Sequence, residues 1–96
     1  MVEQPLTRFE VVVEQGPPHG DLYELEQTTY YHVVDRHTQQ VVMTFQSEME
    51  ATLSRDSGMW DDYRFSGVCE VAIAPDEASV VVTYCTGREE RVRLDY

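Results

Sequence analysis

Runs of valine mark out the extended parts of this chain: Val11-Val12-Val13, Val33-Val34, Val41-Val42 and Val80-Val81-Val82. A β-branched side chain is stiff at χ1 and packs well on a pleated surface, so such runs favour strands over helices. Consecutive residues of a strand point to opposite faces, so each run places apolar groups on both sides of its sheet. One flat sheet buries only one face. The chain must therefore fold its sheet over or offer a face to another molecule. Fourteen valines and eight threonines stand against five leucines and four alanines, which leaves few good helix formers. The expected fold is all-β: an antiparallel meander of about six to seven strands in one domain, residues 1–96, forming a small sandwich or partly open barrel.

The local patterns fill in this outline. Residues 7–15 read as a strand centred on Phe9 and the first valine run, broken by Gly16-Pro17-Pro18-His19-Gly20-Asp21. Prolines there remove amide donors and the glycines permit sharp turning. Residues 22–35 are extended, with Tyr23, Leu25, Tyr31 and Val33 on one face and Glu24, Glu26, Tyr30, His32 and Val34 on the other. Asp35 to Gln39 has the form of a hairpin loop whose last residue takes a positive φ, a conformation strained for glutamine. Residues 43–53 alternate apolar and polar, which predicts a strand, yet Ser47-x-x-Glu50 is a capping box. The alternative is an α+β fold with one short helix near residues 47–54. Residues 55–62 read as a loop.

Residues 67–74 pair with residues 79–85 across Pro75-Asp76-Glu77-Ala78, with proline at the second turn position. In an unslipped register Cys69, Val71 and Ile73 face Tyr84, Val82 and Val80, while Cys85 points the other way, opposite Val68. A Cys69–Cys85 bridge would need a slipped register, and none is expected. Thr86-Gly87 leads into residues 89–95. A two-residue turn would put Val92 and Leu94 on the Cys85 face, and one bulge residue would put them with Val82. The register of this hairpin stays open.

The segment from Asp35 to Phe45 resembles the inner hairpin of a WD-repeat propeller blade. Val68 to Asp76, continued by Val92 to Tyr96, resembles a blade's outer three strands. The blade's Gly-His pair and Trp-Asp ending are absent, and a closed propeller needs at least about four blades. The likeness is that of two β-meanders obeying common turn rules.

Charge narrows function. Seven basic against eighteen acidic residues give a net charge of −11. Phosphate and anionic lipid are repelled by such a chain, so no direct nucleic-acid or membrane partner is expected. Residues 1–35 carry −6 and residues 64–96 only −2, which concentrates acidity in the N-terminal part. With no lysine, Schiff-base chemistry is excluded. His19, His32 and His37 lack metal-ligand spacing, and two cysteines are too few for a stapled scaffold, so no metal or cofactor is expected. Met1-Val2-Glu3-Gln4-Pro5 has no basic start or apolar stretch, so no signal peptide is expected, and two cysteines with no expected bridge fit a reducing, cytoplasmic setting.

No nucleophile–base pair or facing carboxylate pair emerges, so no catalytic residue is assigned and the chain is not expected to be an enzyme. The expected function is that of a small acidic, non-catalytic protein–protein interaction module, with homodimerisation as one form of it. Trp60 is the candidate anchor, with Asp61, Asp62 and Tyr63 as rim contacts. The alternative is an acidic nucleic-acid mimic that occupies the basic groove of a DNA- or RNA-binding protein.

Overall fold

The computed structural model describes residues 8–94. Seven strands follow one another: β1 (Phe9–Gln15), β2 (His19–Gly20), β3 (Glu24–Asp35), β4 (Gln40–Leu53), β5 (Trp60–Ile73), β6 (Ser79–Tyr84) and β7 (Glu89–Arg93). All pairings are antiparallel, in the order β1-β3-β4-β5-β6-β7, with β2 beside β1 on the outer edge of β3. The sheet is not closed into a barrel. No helix occurs among the described residues, so the six alternations of residues 43–53 prevail over the capping box.

β5 belongs to two layers. Trp60 to Gly67 pair with β4, whereas Val68 to Ile73 pair with β6. Gly67 makes the passage between them: its φ is 81°, and a Cβ there would stand 2.7 Å from the Gln46 carbonyl oxygen. Only glycine meets both conditions without strain. Past that point β5, β6 and β7 fold over one face of β1, β3 and β4. Phe9 and Val33 from the first layer meet Val68, Val71, Val80, Val82 and Leu94 from the second. Val33, Val80 and Val82 are fully buried. Truncating Phe9 to alanine in such a core costs about 3–5 kcal/mol.

The layers are also tied by polar contacts. The Tyr31 hydroxyl donates to the Cys69 carbonyl at 3.2 Å, and the Arg8 amide donates to Glu77 Oε1 at 2.9 Å. Arg8 further forks onto the buried Asp35 carboxylate at 3.3 and 3.1 Å. Asp35 also accepts from the His37 amide, closing the hairpin loop. In that loop Gln39 has φ 58°, the strained value expected for it.

Two expectations about the second meander are settled. Val80 pairs with Val92, so the bulged form of the last hairpin is the real one, with Gly87 at φ 93°. The register of β5 with β6 is as expected from Ile73↔Val80 to Glu70↔Thr83, and then slips, with Val68 opposite Tyr84. Cys69 is the extra residue of this bulge. Val68 and Val71 thereby face the core together, and Cys69 turns out to solvent instead of joining their apolar face. The slip also overturns the expectation of free thiols: Cys69 and Cys85 lie 4.9 Å apart at Cα and form a disulfide.

The fold is long. Fourteen-residue β4 spans about 46 Å, which accounts for most of a 53 Å long axis. The radius of gyration is 17.0 Å, against about 12.5 Å for a compact chain of this length. The second layer covers only one end of the first. Residues 23–28 of β3 and its approach, residues 47–53 and residues 60–66 extend beyond it as a single-layer arm.

Candidate functional site

The arm has two unlike faces, set by strand alternation and register. Leu25 pairs with Ala51, Gln27 with Met49, Met49 with Phe65 and Leu53 with Trp60, so these side chains share one face. It is the face that carries the core further along β4, through Met43 and Phe45. No second strand layer lies over it among the described residues, and its exposure is uneven: Ala51 and Ser47 are buried, whereas the aromatics of β5 stand out. Phe65 is 57 % exposed and Tyr63 54 %. Five of the nine large hydrophobics that stand exposed (Leu22, Tyr23, Met59, Tyr63 and Phe65) belong to the arm or its tip, and the other four, Val12, Val13, Val41 and Val42, lie on β1 and at the start of β4.

The opposite face is acidic. Glu26 stands directly across from Glu50 and Thr28 from Glu48, with Glu24 and Asp61 flanking Thr52. Like charges directly opposite on a sheet destabilise it, so this arrangement does not serve stability. Arg64, across from Glu50, and His19, 3.5 Å from Glu26, are the neighbouring basic groups. A shallow concavity of about 240 Å³ lies among Glu24, Glu26, Glu50, Thr52, Asp62 and Arg64. No group of three or more histidine, cysteine or carboxylate side chains among the described residues could hold a metal ion.

The four residues singled out from the sequence do not form one patch. Trp60 opens β5 instead of lying in a loop, and sits half-buried on the apolar face opposite Leu53. Asp61 faces the other way, opposite Thr52. Between the pairs Asp61↔Thr52 and Arg64↔Glu50, β5 holds two residues against one on β4, a bulge whose first residue, Asp62, has φ 53°. Asp62 lines the acidic concavity and lies 3.6 Å from Arg64. Alternation with Arg64 returns Tyr63 to the side of Phe65. Phe65, Met49, Leu25 and Leu53 were not singled out from the sequence, although the alternation of residues 43–53 already placed Met49 and Leu53 together. The loop at Gly16 to Asp21 is a tied connection: its Asp21 carboxylate caps the amides of Tyr23 and Glu24, and Gln27 donates to the Gly16 carbonyl at 3.0 Å.

One further constellation resembles catalytic machinery. His32 Nδ1 is 2.9 Å from Thr44 Oγ1, and its Nε2 is 3.7 Å from Glu14, an order of hydroxyl, imidazole and carboxylate. These three residues occupy the adjacent strands β1, β3 and β4, Glu14 opposite Tyr30 and His32 opposite Thr44. Tyr30 stacks on the His32 ring at 6.1 Å, which with the two polar contacts makes a sheet-surface cluster.

No helix of the described residues is long and apolar enough to cross a membrane. In comparisons with known proteins, the chain matches no family model, no curated protein and no solved structure.

Proposed function

We infer that this protein is a non-catalytic interaction module that binds a protein through the uncovered apolar face of its arm. The observation that carries this reading is the pair of half-exposed aromatics, Phe65 and Tyr63, beside Trp60 on a sheet face with no second layer. Exposed apolar surface of this extent, with aromatic anchors along its edge strand and charge kept to the far side, has the composition of a binding surface. Trp60 and Tyr63 are contacts in this reading, and Asp61 and Asp62 are excluded from the interface centre.

The Cys69–Cys85 bridge bears on where the module works. Structural disulfides persist in oxidising compartments and are rare in a reducing cytosol. The expected cytoplasmic setting rested on free thiols, and the bridge favours an oxidising one.

A second reading has its own observation. Glu24, Glu26, Glu48 and Glu50 on adjacent strands give the arm a flat acidic face suited to a basic groove, as a nucleic-acid mimic needs. Affinity capture from cell extract separates the two, using wild type, Phe65→Asp and a Glu26→Gln/Glu48→Gln/Glu50→Gln triple variant. The apolar reading expects capture that survives high salt and is lost in Phe65→Asp. Capture lost at high salt and in the triple variant, but kept by Phe65→Asp, would replace it with the mimic.

A further inference from the structure

We propose that the occupant of the arm's apolar face is a second copy of this chain, the two arms stacking face to face about a two-fold axis. This rests on the reading of the apolar face as a binding surface and names its partner.

Size points to it first. Within one molecule, the layer that covers β1, β3 and β4 is three strands wide, built from the second half of β5, β6 and β7. It ends where β5 passes through Gly67, and the sheet beyond lacks the same width of cover. An arm is itself three strands wide, from β3 through β4 to the first half of β5. A second arm therefore has the dimensions of the missing layer and can lie at the spacing of about 10 Å usual for packed sheets. A two-fold axis makes the contact self-complementary and closed at two copies.

Charge points the same way. The charged groups of the arm strands, Glu24, Glu26, Glu48, Glu50, Asp61 and Arg64, belong to the outer face by register, and Asp62 at the bulge lines the concavity there with Arg64. The apolar face presents Leu25, Met49, Leu53, Trp60, Tyr63 and Phe65 with Gln27 and Ser47 as its polar members. A basic partner would find its complement on the outer face and none here. Two chains of net charge −11 can meet at a plane free of charge, with their carboxylates on the far sides of both sheets.

Area sets the strength. Aromatic side chains bury about 150–250 Å² each. With Phe65 57 %, Tyr63 54 % and Tyr23, just before β3 and two residues from Leu25, 57 % exposed, Leu25, Gln27, Met49, Leu53 and Trp60 half-buried and Ser47 and Ala51 buried, each copy contributes at most roughly 500–600 Å². The total of at most about 1,000–1,200 Å² lies at the lower end of specific interfaces, so the dimer is reversible and concentration-dependent.

The test is sedimentation velocity of the full, oxidised chain from about 1 µM to about 500 µM, at about 50 mM and about 500 mM salt. The expected result is a mass that doubles from 11.1 kDa as concentration rises. High salt should tighten the dimer by at least about threefold, because it screens repulsion between like-charged copies. Emission of the single tryptophan, Trp60, should move to the blue in step with the mass. Phe65→Asp should stay monomeric with unchanged melting temperature, whereas Glu48→Gln on the outer face should dimerise at least as well as wild type. A monomer under every condition, or a dimer indifferent to Phe65→Asp, overturns the proposal. If the chain stays monomeric while Phe65-dependent capture persists in extract, self-pairing fails and the binding-surface reading stands. Loss of both removes both.

Discussion

Breaking the Cys69–Cys85 bridge tests the slipped register of β5 and β6 most directly. The bond joins residues 16 apart, and in the chain-entropy description a loop of that length closed in the unfolded state is worth about 3 kcal/mol at 25 °C. Cys69 is exposed and Cys85 half-buried, outside the core cluster, so a Cys69→Ser/Cys85→Ser double variant leaves no cavity to add to this figure. For a domain of this size, about 3 kcal/mol corresponds to a fall in Tm of roughly 12–24 °C. Urea unfolding monitored by tryptophan fluorescence and far-UV circular dichroism should show the loss in wild type under reductant and in the double variant without it. Alkylation of unreduced, denatured protein should label neither cysteine. Two alkylated thiols before reduction would refute the bridge and the slipped register that brings Cys69 to Cys85, and a double variant within about 0.5 kcal/mol of wild type would refute the loop-closure figure.

Two other perturbations probe the frame. The hydrogen bonds of the Arg8 guanidinium hold the Asp35 carboxyl below the usual carboxylate range, helped by the His37 and Thr38 amides and opposed by burial. A group depressed in the folded state contributes stability above its unfolded pKa of about 3.9 and loses it as pH falls through the lower folded value. Thermal melts of wild type should therefore fall off below about pH 4, and Asp35→Asn should be less stable near neutrality with a shallower acid limb. An equally steep acid limb in Asp35→Asn would assign it to other carboxylates. Gly67→Ala should cost about 1–3 kcal/mol in chemical denaturation, from positive φ and the 2.7 Å approach to the Gln46 carbonyl. Gly87→Ala, also at positive φ but facing open space, should cost less, and equal losses would mean that the layer passage does not depend on that close approach.

Much of the fold was legible because its determinants are local. Alternation across residues 43–53 placed Met43, Phe45, Met49 and Leu53 on one face, and register confirms it through Val33↔Met43 and Tyr31↔Phe45. The strained Gln39 could be read from a four-residue loop lacking glycine, and Pro75 from its turn position. The misread features arise where two strands differ by one residue. Cys69 and Asp62 are both bulge residues, and nothing in Gly-Val-Cys-Glu or Asp-Asp-Tyr-Arg marks the insertion, because a bulge is selected by pairing partners distant in sequence. Each slip reversed the faces beyond it. One brought Cys69 to Cys85, and the other sent Asp61 and Tyr63 to opposite sides of the arm. Phe65 was overlooked for the same reason, since its face is known only once it is seen opposite Met49.

That dependence on bulges also explains how a chain can hold an apolar arm face without polymerising through its edge. Residues 60–66 of β5 pair with β4 on one side and with no described strand on the other. An open edge of that length invites strand addition without limit. Here it is interrupted by the Asp62 bulge at φ 53° and flanked by Asp61 and Arg64, the charge and local twist by which sheet edges are blunted. The adjoining face carries no such protection: Phe65 and Tyr63 stand open on it, and the intervening Arg64 belongs to the opposite face. Pairing through the edge propagates, whereas pairing through a face about a two-fold axis closes at two. Blunting the edge while leaving the face bare therefore permits a finite contact and opposes an endless one.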